Sequence, residues 1–372
     1  MRILLLGDLI LDEPDPDALF DPSRELLRSA DVVVGQVEVP HSRRGSVQST
    51  DVPARPSDPE NLAALVRAGV TVATLAGNHV ADAGPEGIED TIAELRALGI
   101  PATGAGMSLA EARTPALVEA DGRRVGVLGY NCVGPRDGWA RPSKAGCAYV
   151  EVLTHYELDH AGPGGPPRIF TFATPESLAA LREDVAALRE RADVVVVALH
   201  KGLGHVRARL AQYESDLARA AIDAGADVVV GHHAHILRGI ELHRGRPIFH
   251  GLGNFATVTR ALSPANVDTP EAAAWARRRV ELFGFTPDPA MPTYPFHPES
   301  RNTIVADCRV AADGSVEAGF VPCRIDDDAR PVPLGPGDGD AVVAYVEAIT
   351  REAGLATSYR WDGDRVLAVA AS

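Results

Sequence analysis

Aromatic side chains are scarce in this chain. Phe, Trp and Tyr make up 5% of its 372 residues, and there are only 4 Cys and 3 Met. The cysteines, at positions 132, 147, 308 and 323, show no CxxC spacing. That leaves free thiols of a reducing compartment as the reading, with a Cys308–Cys323 contact across a hairpin as the one pairing to test. Basic charge is also short. There are 36 Lys and Arg against 51 Asp and Glu, a net charge of −15, and no basic stripe. A nucleic-acid surface is excluded on that ground. An acidic field attracts cations and works against a polyanionic substrate. No apolar run reaches the length of a membrane span, and the first apolar strand starts at residue 2. The expectation is a cytoplasmic protein with no membrane partner. Internal repeats and coiled-coil heptads are missing as well. The length allows a large core, and one main domain over residues 1–372 is expected.

What is present is a set of apolar runs that end in polar motifs. Residues 70–75, 194–197 and 228–230 are small or β-branched apolar runs of the kind that forms buried parallel strands. They lead into Gly77-Asn78-His79, Leu199-His200-Lys201-Gly202 and Gly231-His232-His233-Ala234-His235. Open α/β sheets place their sites past the carboxyl ends of such strands. Two earlier runs, ending at Gly7-Asp8 and leading to Glu38, add carboxylates in the same register. Asp8, Glu38, Asn78, His200, His233 and His235 thus form a mixed oxygen and nitrogen donor set. Imidazoles suit Zn or Fe while carboxylate and amide oxygens suit Mg, Mn or Ca. A divalent ion is expected, its identity open among Ca, Mn, Mg and Zn, with no organic cofactor.

Seven of the twelve histidines lie between His200 and His250. The i, i+2 spacing of His233 and His235 puts both on one face if the segment is extended. His232, His243 and His250 read as structural, with His243 in a hairpin turned by Arg244-Gly245. His79 followed by Asp82 is a candidate acid/base pair, since a carboxylate orients an imidazole and raises its basicity. Asp82 reads equally well as a helix cap. His235 with Asp8 is a second candidate pair. Lys201 and Arg238 flank the motifs and are candidates to hold a substrate carboxylate, or else are solvated surface charges.

These segments, with Val37-Glu38-Val39-Pro40 and Gly251-Leu252-Gly253-Asn254-Phe255, resemble the CapA (poly-γ-glutamate or capsule synthesis) family of the calcineurin-like metallophosphatase superfamily. The resemblance covers about the first 255 residues. It implies a four-layer α/β/β/α sandwich with a metal site at strand C-terminal ends. It also implies ligands at Asp8, Glu38, Asn78, His200 and His233, with His235 matching a further ligand, and a catalytic histidine at His79. One position departs from the superfamily. A histidine usually follows the first aspartate by two residues, and here that position is Ile10. Some relatives are peptide epimerases acting on lasso-type precursor peptides. The resemblance therefore implies a peptide epimerase that inverts a Cα centre. The alternative is a hydrolase of phosphoester, amide or polyglutamate bonds, and a third reading is an accessory protein of polymer synthesis.

Several elements follow from local patterns. A helix over residues 60–68 has Ser57 as its expected cap. Pro85 sits at a first helical turn. Ile88, Ile92, Leu95 and Leu98 share one face of the helix that follows. Further helices are expected over residues 175–191, 212–224 and 340–352, with hairpins at Asp121-Gly122 and Asp313-Gly314. Residues 131–173 and 256–300 read as long loops forming a pocket wall or lid. The aromatics of the second loop are either a satellite core or an apolar pocket.

Overall fold

The computed structural model describes residues 1–48, 56–157, 167–260 and 270–371. Two β-sheets face each other, and helices cover their outer sides. The larger sheet is 10-stranded. Its parallel half joins Asn254–Val258, Arg2–Leu11, Val32–Val37, Val72–Thr74 and Ala102–Thr103. Its antiparallel half continues from Arg2–Leu11 through Asn302–Val310, Val316–Ile325, Arg365–Ala370 and Thr357–Asp362. The 6-stranded sheet runs Ile240–His243, Arg246–Phe249, Val228–His232, Val194–His200, Arg123–Asn131, Ala116–Ala120.

Strand alternation sorts the apolar residues into three cores. Ile3, Leu5, Val32 and Val34 meet Val125, Val127, Val194, Val196 and Val230 between the sheets. Their neighbours Leu4, Leu6 and Val33 face the other way, onto Leu65, Ile88 and Leu95 of the helices Ala63–Ala68 and Gly84–Ala97. Val195, Val197 and Leu199 face Leu181, Val185 and Leu217 of the helices Pro175–Arg189 and Gln212–Asp223. The period of two in each strand thus produces the α/β/β/α layering. The helix Asp340–Glu352 closes the middle layer with Val342, Val346 and Ile349.

Several local expectations are corrected. The helix at residues 60–68 is split into a 3-10 turn, Pro59–Leu62, and Ala63–Ala68. Its cap is Asp58, whose carboxylate accepts from the Glu60 N–H, while the Ser57 N–H is spent on Pro40. Cys323 lies opposite Thr303 and Cys308 opposite Ala318, so the two thiols do not meet, and all four cysteines are buried and free. The stretch 131–173 holds a hairpin, Val152–Glu157 with Arg168–Ala173, anchored on the outer helical layer where the Tyr213 N–H donates to Thr171 Oγ1. The stretch 256–300 holds a 14-residue helix, Pro270–Phe283. The carboxyl-terminal segment pairs into the large sheet. No helix among the described residues is long and apolar enough to cross a membrane.

Candidate metal centre

The polar motifs meet at one end of the sandwich, delivered by both sheets rather than by one row of strands. Arg2–Leu11 and Val32–Val37 bring Asp8 and Glu38, and Asn78 follows Val72–Thr74, all from the large sheet. His200 ends a strand of the smaller sheet, and His233 and His235 follow Val228–His232. Close backbone approach fixes the two turns concerned. A Cβ on Gly7 would strike the Gly253 carbonyl oxygen, and one on Gly231 would strike that of His250. Only glycine fits there. The strand Arg2–Leu11 does not end at Asp8. Its register shifts between Asp8 and Ile10 on the Asn254–Val258 side. Such a bulge re-aims side chains near sites.

Asp8, Glu38 and His235 form the tightest group, with one donor atom of each lying within 4.8 Å of the others. His235 Nε2 is 3.3 Å from Glu38 Oε1 and His235 Nδ1 is 3.6 Å from Asp8 Oδ2. Asn78, His200 and His233 form a second group alongside. Asn78 Oδ1 accepts from His200 Nε2 at 2.7 Å and faces His233 Nδ1 at 3.3 Å. The His233 N–H joins the groups by donating to Asp8 Oδ2 at 3.2 Å. The i, i+2 argument for His233 and His235 does not hold, because the strand ends at His232 and both residues have left-handed backbone, φ 85° and 53°. Their rings converge through a turn, with centroids 6.3 Å apart.

Both carboxylates are buried, Asp8 at 0% and Glu38 at 1% exposure. Glu38 Oε1 and Oε2, Asp8 Oδ1 and His200 Nδ1 have no hydrogen-bond partner. The Glu38–His235 approach is an ion-pair distance without hydrogen-bond geometry. Burial and the neighbouring Glu38 push the Asp8 carboxyl well above its ordinary range. Burial also acts to raise Glu38, but His235, His79 and His233 outweigh it and leave that carboxyl low. Burial alone lowers the His235 imidazole, and Glu38 and Asp8 reverse the direction. Two buried acids with unfilled lone pairs are what a divalent cation satisfies. The residues therefore fit a metal, held by Asp8, Glu38 and His235 with Asn78, His200 and His233 beside them. Ile10, where a further ligand was sought, is a core side chain at 7% exposure.

His79 Nδ1 lies 2.7 Å from Asp82 Oδ2, so the pair is formed. The helix Gly84–Ala97 takes no side-chain cap, and Ala83 is its cap residue. Lys201 and Arg238 are neither surface charges nor open to a ligand. Lys201 is fully buried, with its ammonium on Glu214 Oε2 at 3.3 Å and His250 Nδ1 at 3.2 Å. Arg238, 1% exposed, donates to the carbonyls of Arg209 and Leu203. His232 is a structural residue, its Nε2–H donating to the Leu6 carbonyl of the facing sheet at 3.0 Å.

Sequence reasoning missed three supporting residues. Asn254 Oδ1 accepts from His235 Nδ1 at 2.8 Å, and Asn254 Nδ2 donates to Tyr294 Oη at 3.1 Å. This directs His235 Nε2 toward Glu38, as partners outside a metal site commonly do for its ligands. The Gly251–Phe255 segment was a signal for Asn254. His205 stacks on His235 at 5.6 Å and is ringed by Phe283, Phe285 and Phe296. A cavity of about 500 Å³ lined by Tyr294, Phe296 and His297 adjoins that cluster. The aromatics of the second loop therefore serve both as a satellite core and as a cavity wall.

The fold and site together define a two-sheet α/β/β/α sandwich with buried carboxylates and imidazoles gathered at its strand ends. The chain belongs to the family described as bacterial capsule synthesis protein PGA_cap, which matches residues 2–259. It is similar to the PGA biosynthesis protein CapA of Bacillus subtilis, 29% identical over 255 residues, covering 66% of this chain and 58% of that protein. It is similar also to the capsule biosynthesis protein CapA of Bacillus anthracis, 27% identical, covering 68% of this chain and 59% of that protein. The chain thus spans less than two thirds of these relatives. A calcineurin-like phosphoesterase structure from Bacillus subtilis overlaps 95% of this chain and 97% of its own at 13% identity, with a TM-score of 0.35, too slight a likeness to argue from.

Proposed function

We propose that the chain is a metal-dependent hydrolase, acting on an amide bond of a glutamate-type polymer or on a phosphoester. The observation that carries this reading is the unfilled Glu38 carboxylate beside Asp8 and His235, with the His79–Asp82 pair next to it. A bound divalent cation supplies Lewis acidity toward water and toward the bond being cleaved. The Asp82 carboxylate holds the Nδ1 side of His79, which makes Nε2 the atom that would pass a proton to the leaving group. Asn254 keeps His235 aimed at the carboxylates. The names of the relatives, PGA and capsule biosynthesis, favour a glutamate polymer over other amides. Four buried free thiols favour a cytoplasmic location.

A peptide epimerase is the second reading. Ile10 in place of a ligand and two acid/base groups, His79 and His235, at one centre favour it. One experiment separates the two. The purified chain is supplied with Mn²⁺ or Zn²⁺ in ¹⁸O water and, separately, in heavy water, with poly-γ-glutamate, p-nitrophenyl phosphate and a lasso-type precursor peptide. The hydrolase reading expects ¹⁸O in a cleaved product, with His79→Ala slowed ~10²- to 10⁴-fold. Deuterium at a Cα with no cleavage would establish the epimerase instead.

A further inference from the structure

Arg279 is the most unusual cation in the described chain. It projects from the helix Pro270–Phe283 and is 8% exposed. No carboxylate among the described residues pairs with it. Its resolved contacts are Nη1 to the Pro295 carbonyl at 3.4 Å, Nη2 to His205 Nε2 at 3.3 Å, and the faces of Trp275 and Phe283 at 5.5 and 5.7 Å. Aromatic faces attract a guanidinium but bring no net negative charge. Every other deeply buried Arg or Lys named above differs: Lys201 has Glu214, and Arg238 has two carbonyls with Glu214 nearby. Burial alone pushes the Arg279 guanidinium down, to about 10, which leaves it charged at neutral pH.

Its position gives the lone charge a use. Arg279 touches His205, His205 stacks on His235, and His235 faces Glu38. A guanidinium only donates, so the His205 Nε2 facing it is the unprotonated nitrogen. The proton is then on His205 Nδ1, which is buried without a partner. A charged guanidinium therefore sits one ring away from the candidate metal centre with no carboxylate among the described residues on it. An oxyanion is the ligand that supplies the missing charge, and Arg takes carboxylate and phosphate through paired N–H bonds.

We propose that Arg279, set beside the metal centre by His205, binds an oxyanion of the substrate, a carboxylate or phosphoryl group next to the bond acted on. Its link to turnover rests on the hydrolase reading, while the anion site itself does not. The site answers how a chain of net charge −15 can receive an anionic substrate. It also moves the substrate clamp from Lys201 and Arg238, which have Glu214 as counter-charge, to a cation with no carboxylate partner among the described residues.

The test is calorimetric titration of the full chain with inorganic phosphate and, separately, with glutarate. Both are run on chelator-stripped protein, wild type and in a Glu38→Gln background, so that coordination of the anion to a metal does not contribute. Saturable binding of at least one anion is expected in both proteins, weakened about tenfold or more by Arg279→Met. That variant keeps an apolar stem against Trp275 and Phe283. If circular dichroism shows that it does not fold, Arg279→Gln gives the same readout. Binding of phosphate alone assigns the site to a phosphoryl group, and binding of glutarate alone to a carboxylate. Undetectable binding of both anions, or equal affinity without Arg279, overturns the proposal. Arg279-dependent binding without ¹⁸O incorporation would keep the anion site and sink the hydrolase reading.

Discussion

Consecutive residues at one strand end lead into two buried polar clusters with opposite properties. His200 points between the sheets, toward Asn78 and the unfilled carboxylates Asp8 and Glu38. Lys201 points the other way, into a network that is complete. Its ammonium meets Glu214 and His250, His250 Nε2 meets Glu241 Oε2 at 3.0 Å, and Glu241 meets Arg219 at 2.6 Å. Glu214 also accepts from the Ala211 N–H at 2.8 Å. Burial works to lower Lys201 and to raise Glu214, yet the pair holds Glu214 low. One cluster is closed on itself and serves the fold. The other leaves Asp8 Oδ1 and both Glu38 oxygens without a hydrogen-bond donor and is built for something the chain does not supply. Buried polarity alone therefore does not mark a site, whereas buried polarity left uncompensated does.

The largest expected effect breaks the closed cluster. Lys201→Met leaves Glu214 buried with its main counter-charge removed and should cost about 3–5 kcal/mol in urea unfolding. Adding Glu214→Gln should recover much of that loss. In the metal-free protein, Glu38→Gln should differ from wild type by only about 1 kcal/mol, because it relieves repulsion with Asp8 as it loses His235. Equal penalties at the two clusters would erase the distinction drawn between them.

Metal acts on the open cluster alone. A divalent ion at 100 times its Kd should stabilise the wild type by about 2.7 kcal/mol, and chelation should reverse this. At the same ion concentration Glu38→Gln should gain about 1.4 kcal/mol or less, as a site weakened tenfold or more requires.

The sequence made the open cluster more legible than the closed one. Asp8, Glu38, Asn78, His200, His233 and His235 stand in short motifs after apolar runs, and all reach one end of the fold. The layering was expected from the family resemblance alone, because Ile3–Leu6 and Val194–Leu199 are buried on both faces and so read as unbroken apolar runs. Sheet membership was not legible. Parallel apolar runs look alike whether they share a sheet or face one another, so the two-sided origin of the centre was hidden. Lys201 was misplaced because its partners, Glu214 and His250, are 13 and 49 residues away. The helix Pro270–Phe283 was read as loop because the well-buried position among its described side chains is Arg279, while Val280 and Leu282 are exposed. An amphipathic pattern with a cation on the buried side does not register as apolar periodicity.

Acid should reach the closed cluster through His250, and the segment after Glu38 through His41, both buried imidazoles. Burial pushes His41 and His250 down to about 4. The unfolded chain then binds more protons than the folded one between the ordinary histidine value and about 4. Stability is full above ~6.5 and is lost as pH falls toward 4, on the order of 1–3 kcal/mol per residue. Chemical denaturation across that window checks the sign, and His41→Leu should remove its share of the slope. A smaller effect lies far from either cluster. Thr174 Oγ1 accepts from the Ser177 N–H, and Thr174→Ala should cost about 1 kcal/mol without altering metal affinity.

The central claim is that Asp8 Oδ1 and both Glu38 oxygens, beside His235, are unfilled because a cation belongs there. Calorimetric titration of the chelator-stripped chain with Mn²⁺ and with Zn²⁺, wild type against Glu38→Gln, tests it most directly. The account predicts saturable binding of at least one ion to the wild type, weakened by about tenfold or more in Glu38→Gln. Equal affinity in the two proteins, or no saturable binding of either ion to the wild type, would contradict it.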